Sequence, residues 1–207
     1  MAADVGSSGA EIEQRYLDLL HELRQHISLP INMKLSPAFS SVAHMVKQLE
    51  ATGARGVALF NRFYQPDINI DNLRLVSSLH TSTSAETLLA MRWIAILYGR
   101  TRLSLGATGG VHTPEDAIKL LLAGADVVHL CSLLLEQGPS ALGRILRGLE
   151  EWMEEMGFDV ATVPEAGHDP YLPLAIVAEH TRRIVLGTNV AISFPRSPMV
   201  TAQLAWD

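Results

Sequence analysis

The stretch Leu103–Leu135, LSLGATGGVHTPEDAIKLLLAGADVVHLCSLLL, limits what this chain can fold into more than any other part of it. It reads as strand, glycine pair, helix, strand and a second exposed turn. Leu103–Gly106 is a short apolar run of the buried-strand type, and Ala107-Thr108-Gly109-Gly110 follows at once. Pro114 opens a helix with Glu115 and Asp116 in its first turn. Gly124 ends that helix, Asp126–Leu130 forms the next strand, and Cys131-Ser132 stands at its carboxyl end. Two such turns on neighbouring parallel strands set backbone N–H groups side by side, and glycines let an anion come close. The pattern points to a phosphate or phosphorylated-cofactor pocket. The alternative is a glycine pair that only tightens a turn. Cys131 is expected to be a buried packing residue rather than a nucleophile.

The same alternation of helix and strand runs through the rest of the chain. A helix is expected over 10–26, a strand over 31–35 ending in Ser36-Pro37, and a helix over 40–49 stopped by Gly53. A strand over 56–60 ends in Asn61-Arg62, residues 63–82 are turn-rich with a short strand at 73–76, and a helix covers 85–98. Beyond Ser132 come a helix over 140–156, a strand over 158–163, a loop over 164–170, a helix over 172–180, a strand over 184–190 and a helix over 198–206. Strands separated by helices imply right-handed crossovers and a parallel sheet. The expected fold is α/β: a partial (β/α)8 TIM-type barrel with about six parallel strands and flanking helices. Eight strands would close such a barrel, and the usual length is about 250 residues, against 207 here. Open parallel edges are adhesive, so self-association through them is expected.

Bulk properties exclude several classes. A net charge of −6 with no basic run argues against a nucleic-acid surface. The single cysteine, Cys131, excludes a disulfide framework and suits a reducing cytoplasm. No segment reads as a signal peptide or approaches the roughly 18–20 apolar residues of a membrane span. A soluble cytoplasmic protein is expected, acting on a small molecule.

Residues from about Ser8 to Trp152 resemble the C-terminal half of dihydroorotate dehydrogenase-like FMN proteins. The segments that carry the resemblance are GAEIEQRYLDLL, INMKLSP, GVALFNRFYQPDI, MRWIAILYGR, the Leu105–Leu135 run and GPSALGRILRGLEEW. Residues from about 156 to 207 are similar instead to the N-terminal part of luciferase-like, deazaflavin-dependent monooxygenases. There the carriers are LPLAIVAEHT, RRIVLGT and FPRSPMVTAQLAWD. The chain reads as a chimera joined within EEWMEEMGF, with a half-barrel over 1–155 and a luciferase-like fragment over 156–207.

The resemblance implies roles for particular residues. Lys34, at a strand end, is placed to set its ammonium near the flavin edge where charge collects on reduction. Asn61 is implied to contact flavin and substrate through its amide. The family pattern has serine next, where this chain has Arg62, a departure that weakens the orotate reading. Thr108, Gly109, Gly110, Cys131 and Ser132 are implied to hold the FMN phosphate on the last two barrel strands. No catalytic residue is assigned, because the family's catalytic-base loop is expected to lie before this chain begins. In the tail, Glu165, His168 and Asp169 form a turn network rather than a metal site, and this loop and Thr188-Asn189 are implied to face a flavin or deazaflavin. His44, His80, His112, His129 and His180 show no ligand spacing and read as surface or core residues. Three readings stay open: an FMN-dependent dihydroorotate dehydrogenase-like oxidoreductase of pyrimidine biosynthesis, a deazaflavin- or flavin-dependent luciferase-like oxidoreductase, and an inactive chimeric half-barrel.

Overall fold

Ser8 caps the first helix reciprocally: its hydroxyl accepts from the Glu11 N–H at 3.3 Å, and the Glu11 carboxylate accepts from the Ser8 N–H at 2.7 Å. From there the computed structural model describes residues 5–62, 67–76, 80–157, 160–163 and 185–188. The chain divides into two compact units, Met1–Ala141 and Leu142–Asp207.

The first unit runs α1 (Gly9–His26), β1 (Asn32–Leu35), α2 (Val42–Thr52), β2 (Gly56–Leu59), β3 (Asp67–Asn69) and β4 (Arg74–Val76). A 3-10 turn at Ser84–Glu86 leads into α3 (Thr87–Leu97), followed by β5 (Ser104–Thr108), α4 (Pro114–Leu122), β6 (Val127–His129) and α5 (Ser132–Gln137). Helix α6 (Ala141–Glu155) crosses into the second unit, which also carries β7 (Val160–Val163) and β8 (Val185–Thr188).

Strands β1, β2, β5 and β6 form one parallel sheet in strict chain order. Sequential order with right-handed crossovers puts every connecting helix on one face, as in a barrel and unlike a doubly wound sheet. On that face α3 packs on β2 and β5, and α4 packs on β6. The core is supplied by Met33, Leu35, Val57, Leu59, Leu105 and Ala107 from the strands. Val42, Met45, Val46 and Leu49 of α2, and Ala90, Ile94 and Leu97 of α3, meet them at helical spacing. Each fully buried aliphatic side chain contributes roughly 1.5–3 kcal/mol.

All six expected parallel strands are present, four in this sheet and two, β7 and β8, paired parallel in the second unit. Three details differ from the sequence reading. The 63–82 region holds a two-stranded antiparallel hairpin, β3 with β4, rather than a lone strand. Strand β5 runs on to Thr108 because Ala107 and Thr108 pair with Val128 and His129. A short helix, α5, begins directly after Cys131, where only a turn was expected. The expected loop over 164–170 and helices over 172–180 and 198–206 lie outside the described residues.

Asp116 joins the segment before α3 to the segment before α4. One carboxylate oxygen accepts from the Ser84 hydroxyl at 2.6 Å, the His112 N–H at 3.1 Å and the Thr113 N–H at 3.0 Å. Burial raises its pKa, but these hydrogen bonds outweigh burial and leave the carboxyl below the ordinary aspartate range. A depressed folded pKa means stabilisation that is present above the unfolded value and is lost as pH falls through the folded one. Asp116→Ala is expected to lower unfolding stability by about 2 kcal/mol, since three donors lose a charged acceptor. Denaturant titration at pH 7 checks this. At pH below the folded value the wild type and the variant should converge, and a gap that persists there would discard the charge-based account.

Candidate functional site

Because the four strands are parallel, their carboxyl ends share one edge, and Lys34, Asn61, Thr108, Gly109, Gly110, Cys131 and Ser132 lie along it, whereas Glu165, His168, Asp169 and Asn189 lie outside the described residues. Lys34 is exposed one residue before the end of β1, in register with Ala58, which is in register with Gly106. Asn61 follows β2 with its side chain exposed, and its N–H donates to the Leu35 carbonyl at 2.6 Å, extending the β1–β2 pairing. Thr108 ends β5 and pairs with His129 of β6, so the Gly109-Gly110 turn and the Cys131-Ser132 turn leave adjacent strands. Clefts of about 250 and 490 Å³ lie elsewhere, at the amino-terminal edge and between α2 and α3.

A third segment, not singled out from the sequence, completes this corner. The buried Ser82 hydroxyl accepts from the Gly110 N–H at 3.0 Å and lies 2.7 Å from the Ser132 hydroxyl. The Ser82 N–H donates to that same Ser132 hydroxyl at 2.9 Å. Ser82 therefore ties the two turns together. The two glycines then divide their duties. Gly110 has φ +80, and a Cβ there would stand 2.6 Å from the Thr83 carbonyl and 2.7 Å from the Thr87 nitrogen. Its N–H is engaged by Ser82, so Gly110 serves close backbone packing. Gly109 has φ +100, and a Cβ there would meet open space. Of the pair, Gly109 is the one with room beside it for a ligand.

Other residues also fall differently from expectation. Cys131 is exposed, not buried; it caps α5 while Leu133, two residues on, fills the core. Arg62 turns away from Asn61: its guanidinium donates to the His80 carbonyl and pairs with Glu86 at 3.4 Å, anchoring the segment that carries Ser82. His112 lies 3.8 Å from the Glu136 carboxylate of α5, a second link between the two turns. His129 was grouped with scattered histidines, yet it shares the open sheet face with Lys34. Its ring lies over Gly106, with Nε2 2.9 Å from where a Cβ would be. His129 is solvent-exposed, yet desolvation by its neighbours and then the Lys34 ammonium lower its pKa, which favours the neutral imidazole. The only sequence signal for this contact is a glycine two positions before the end of β5, and a glycine in a strand marks close approach.

Gly110→Ala is expected to destabilise the fold by about 1–3 kcal/mol through overpacking against immobile backbone and the strain of positive φ. Ser82→Ala is expected to cost about 1–3 kcal/mol by leaving the buried Gly110 N–H without its acceptor. Thermal unfolding of both variants tests the corner, and a Gly110→Ala protein as stable as wild type would show that the 83–87 backbone does not sit so close.

Comparison with known proteins bears on this geometry. The family model for dihydroorotate dehydrogenase matches residues 6–153, and that for luciferase-like monooxygenase matches residues 134–207. The chain is 28% identical over 140 residues to the catalytic subunit of dihydroorotate dehydrogenase B (NAD(+)) of Lachnoclostridium phytofermentans, covering 66% of this chain and 46% of that one. It is 28% identical over 145 residues to dihydroorotate dehydrogenase A (fumarate) of Lactobacillus helveticus, covering 69% and 47%. An uncharacterized protein of Mycobacterium tuberculosis is 53% identical over 55 residues, which are 27% of this chain and 16% of that one. The chain thus spans about half the length of these dihydroorotate dehydrogenases. With the family model covering most of the residues that build the four-stranded sheet and its edge, the chain belongs to the dihydroorotate dehydrogenase family.

Proposed function

We propose that this chain holds FMN on the carboxyl edge of its four-stranded sheet and acts as a flavin-dependent oxidoreductase of the dihydroorotate dehydrogenase type. The observation that carries the reading is the convergence of Lys34, the Gly109 turn and Ser132 on one edge of one sheet. The donor set fits the cofactor. Backbone amides of the Gly109 turn and the Ser132 hydroxyl, held in place by Ser82, suit a phosphate, and the open space at Gly109 admits one. Ala58, between Lys34 and the imidazole-covered Gly106, keeps the sheet face low enough to admit the edge of a ring.

Bound FMN would supply the hydride acceptor for oxidation of a dihydropyrimidine-like substrate. The chain's own part is to bind and orient. Ser132 and the Gly109 turn hold the phosphate end, Lys34 places positive charge beside the ring, and Asn61 offers an amide at the neighbouring strand end. A cation there stabilises the reduced, anionic ring more than the oxidised one.

A second reading rests on residues 134–207, which match the luciferase-like family and supply the 53% identity over 55 residues. On that reading the flavin or deazaflavin belongs to the tail. A third reading is an inactive chimeric half-barrel, in which two family matches meet within one chain. Cytoplasmic location belongs to the first reading and is supported by the single cysteine. So does self-association: the β3–β4 hairpin exposes Ile68, Ile70, Leu73 and Leu75, each 60% or more accessible.

Purified chain titrated with FMN should show a flavin absorption band displaced from that of free FMN. Spectra identical to free FMN would reject the first reading. Lys34→Ala should lower the flavin reduction potential, because the reduced ring loses its nearby cation. An unchanged potential in a protein that still binds FMN would remove Lys34 from the site.

A further inference from the structure

The sheet face opposite the helices carries Lys34 at one side and His129 at the other. Between them lie Ala58 and Gly106, in one register row with Lys34. Neither can rise above the sheet by more than a methyl group. Neighbouring strands stand about 4.8 Å apart, and because the imidazole covers Gly106, the floor left between ammonium and imidazole is the single strand that carries Ala58. His129 is solvent-exposed, but its ring does not stand straight off its own strand. It leans over β5 until Nε2 stands 2.9 Å from the Cβ position of Gly106. That posture needs a glycine at 106.

We propose that His129 is a second ring contact for the cofactor, its neutral imidazole hydrogen-bonding the planar ring system at the edge away from Lys34. The proposal rests on the flavin reading and adds a residue to it. Two features favour a heteroaromatic ring over a purely ionic ligand. The side chains of the row between and beside the two polar groups are apolar, Ala58 and Val127. The two polar walls also differ in kind. An ammonium only donates hydrogen bonds, whereas a neutral imidazole donates from one nitrogen and accepts at the other. A ring with carbonyl oxygen at one edge and both donor and acceptor atoms at the other matches that pair of walls. A phosphate or a carboxylate offers acceptors alone and would leave the imidazole's own acceptor nitrogen unused. Desolvation and the Lys34 ammonium both lower the imidazole's pKa, which disfavours a second cation on the face.

The full chain is titrated with FMN and, separately, with riboflavin, which has the ring but no phosphate, and flavin fluorescence and the visible difference spectrum are followed. His129→Ala should weaken both ligands by about tenfold, the loss of one good hydrogen bond, and shift the difference spectrum. His129→Gln, which also donates and accepts, should stay within about threefold of wild type. Ser132→Ala should weaken FMN and leave riboflavin unchanged, which separates the ring end from the phosphate end. Should His129→Ala not fold, His129→Leu replaces it in the same comparison. If wild type binds FMN and the alanine or leucine variant binds it with equal affinity and an identical spectrum, His129 is no ring contact, while the flavin reading stands. If wild type leaves FMN unperturbed, the flavin reading fails and this inference fails with it.

Discussion

The hydrogen bond from the Gly110 N–H to the Ser82 hydroxyl is the contact around which the candidate site is arranged. It is buried, so breaking it without replacement leaves an amide that water cannot reach. Ser82 in turn fixes Ser132, and Asp116 and Arg62 fix the segments on either side of Ser82. Three loops that are distant in sequence thereby become one rigid corner. Rigidity matters here because a phosphate held by short donors is bound only as well as those donors are placed. Polar loop groups have been recruited to hold one another, and what remains open, the Gly109 side of the turn, is where a ligand can approach.

The sheet order provides the second constraint. Four parallel strands in chain order send their helices to a single face, and apolar residues alternate to meet them: Met33 and Leu35, Val57 and Leu59, Leu105 and Ala107. The period of two then dictates that Lys34, Ala58, Gly106 and His129 share the other face. In a closed barrel that face would be the interior. Apart from Val127, the residues named on it are small or polar, unlike the aliphatic side chains that meet the helices.

Much of this was legible in the sequence because it rests on local rules. Pro114 after Thr113 with Asp116 three residues on is a helix start that the chain announces by itself, and the cap is present. The glycine after Thr108 and the apolar runs gave the strand ends to within two residues. What was not legible depends on contacts between segments far apart. Ser82 lies 28 residues from Gly110 and 50 from Ser132, in a stretch with no periodicity, so nothing local marks it. The exposure of Cys131 depends on α5, a six-residue helix too short to carry a periodic signal. His129 became visible only when the register placed it over Gly106. Arg62, read as a departure from the family pattern, proved to be the anchor of the Ser82 segment.

The overlap of the two family matches carries a physical implication of its own. They share residues 134–153, a span that contains most of α6, and the boundary between the compact units falls at its first residues. An amphipathic helix that follows one parallel strand and precedes another is what both barrel families use at every step, and its sequence is set by periodicity more than by chemistry. Such a helix is therefore the place where two barrel sequences can be joined with little local conflict. The strands cannot be exchanged so freely, since each carries site residues in register with its neighbours. On the first unit the register is intact from Lys34 to His129. The chemistry of this chain is accordingly to be sought on that edge, whatever the residues beyond α6 contribute.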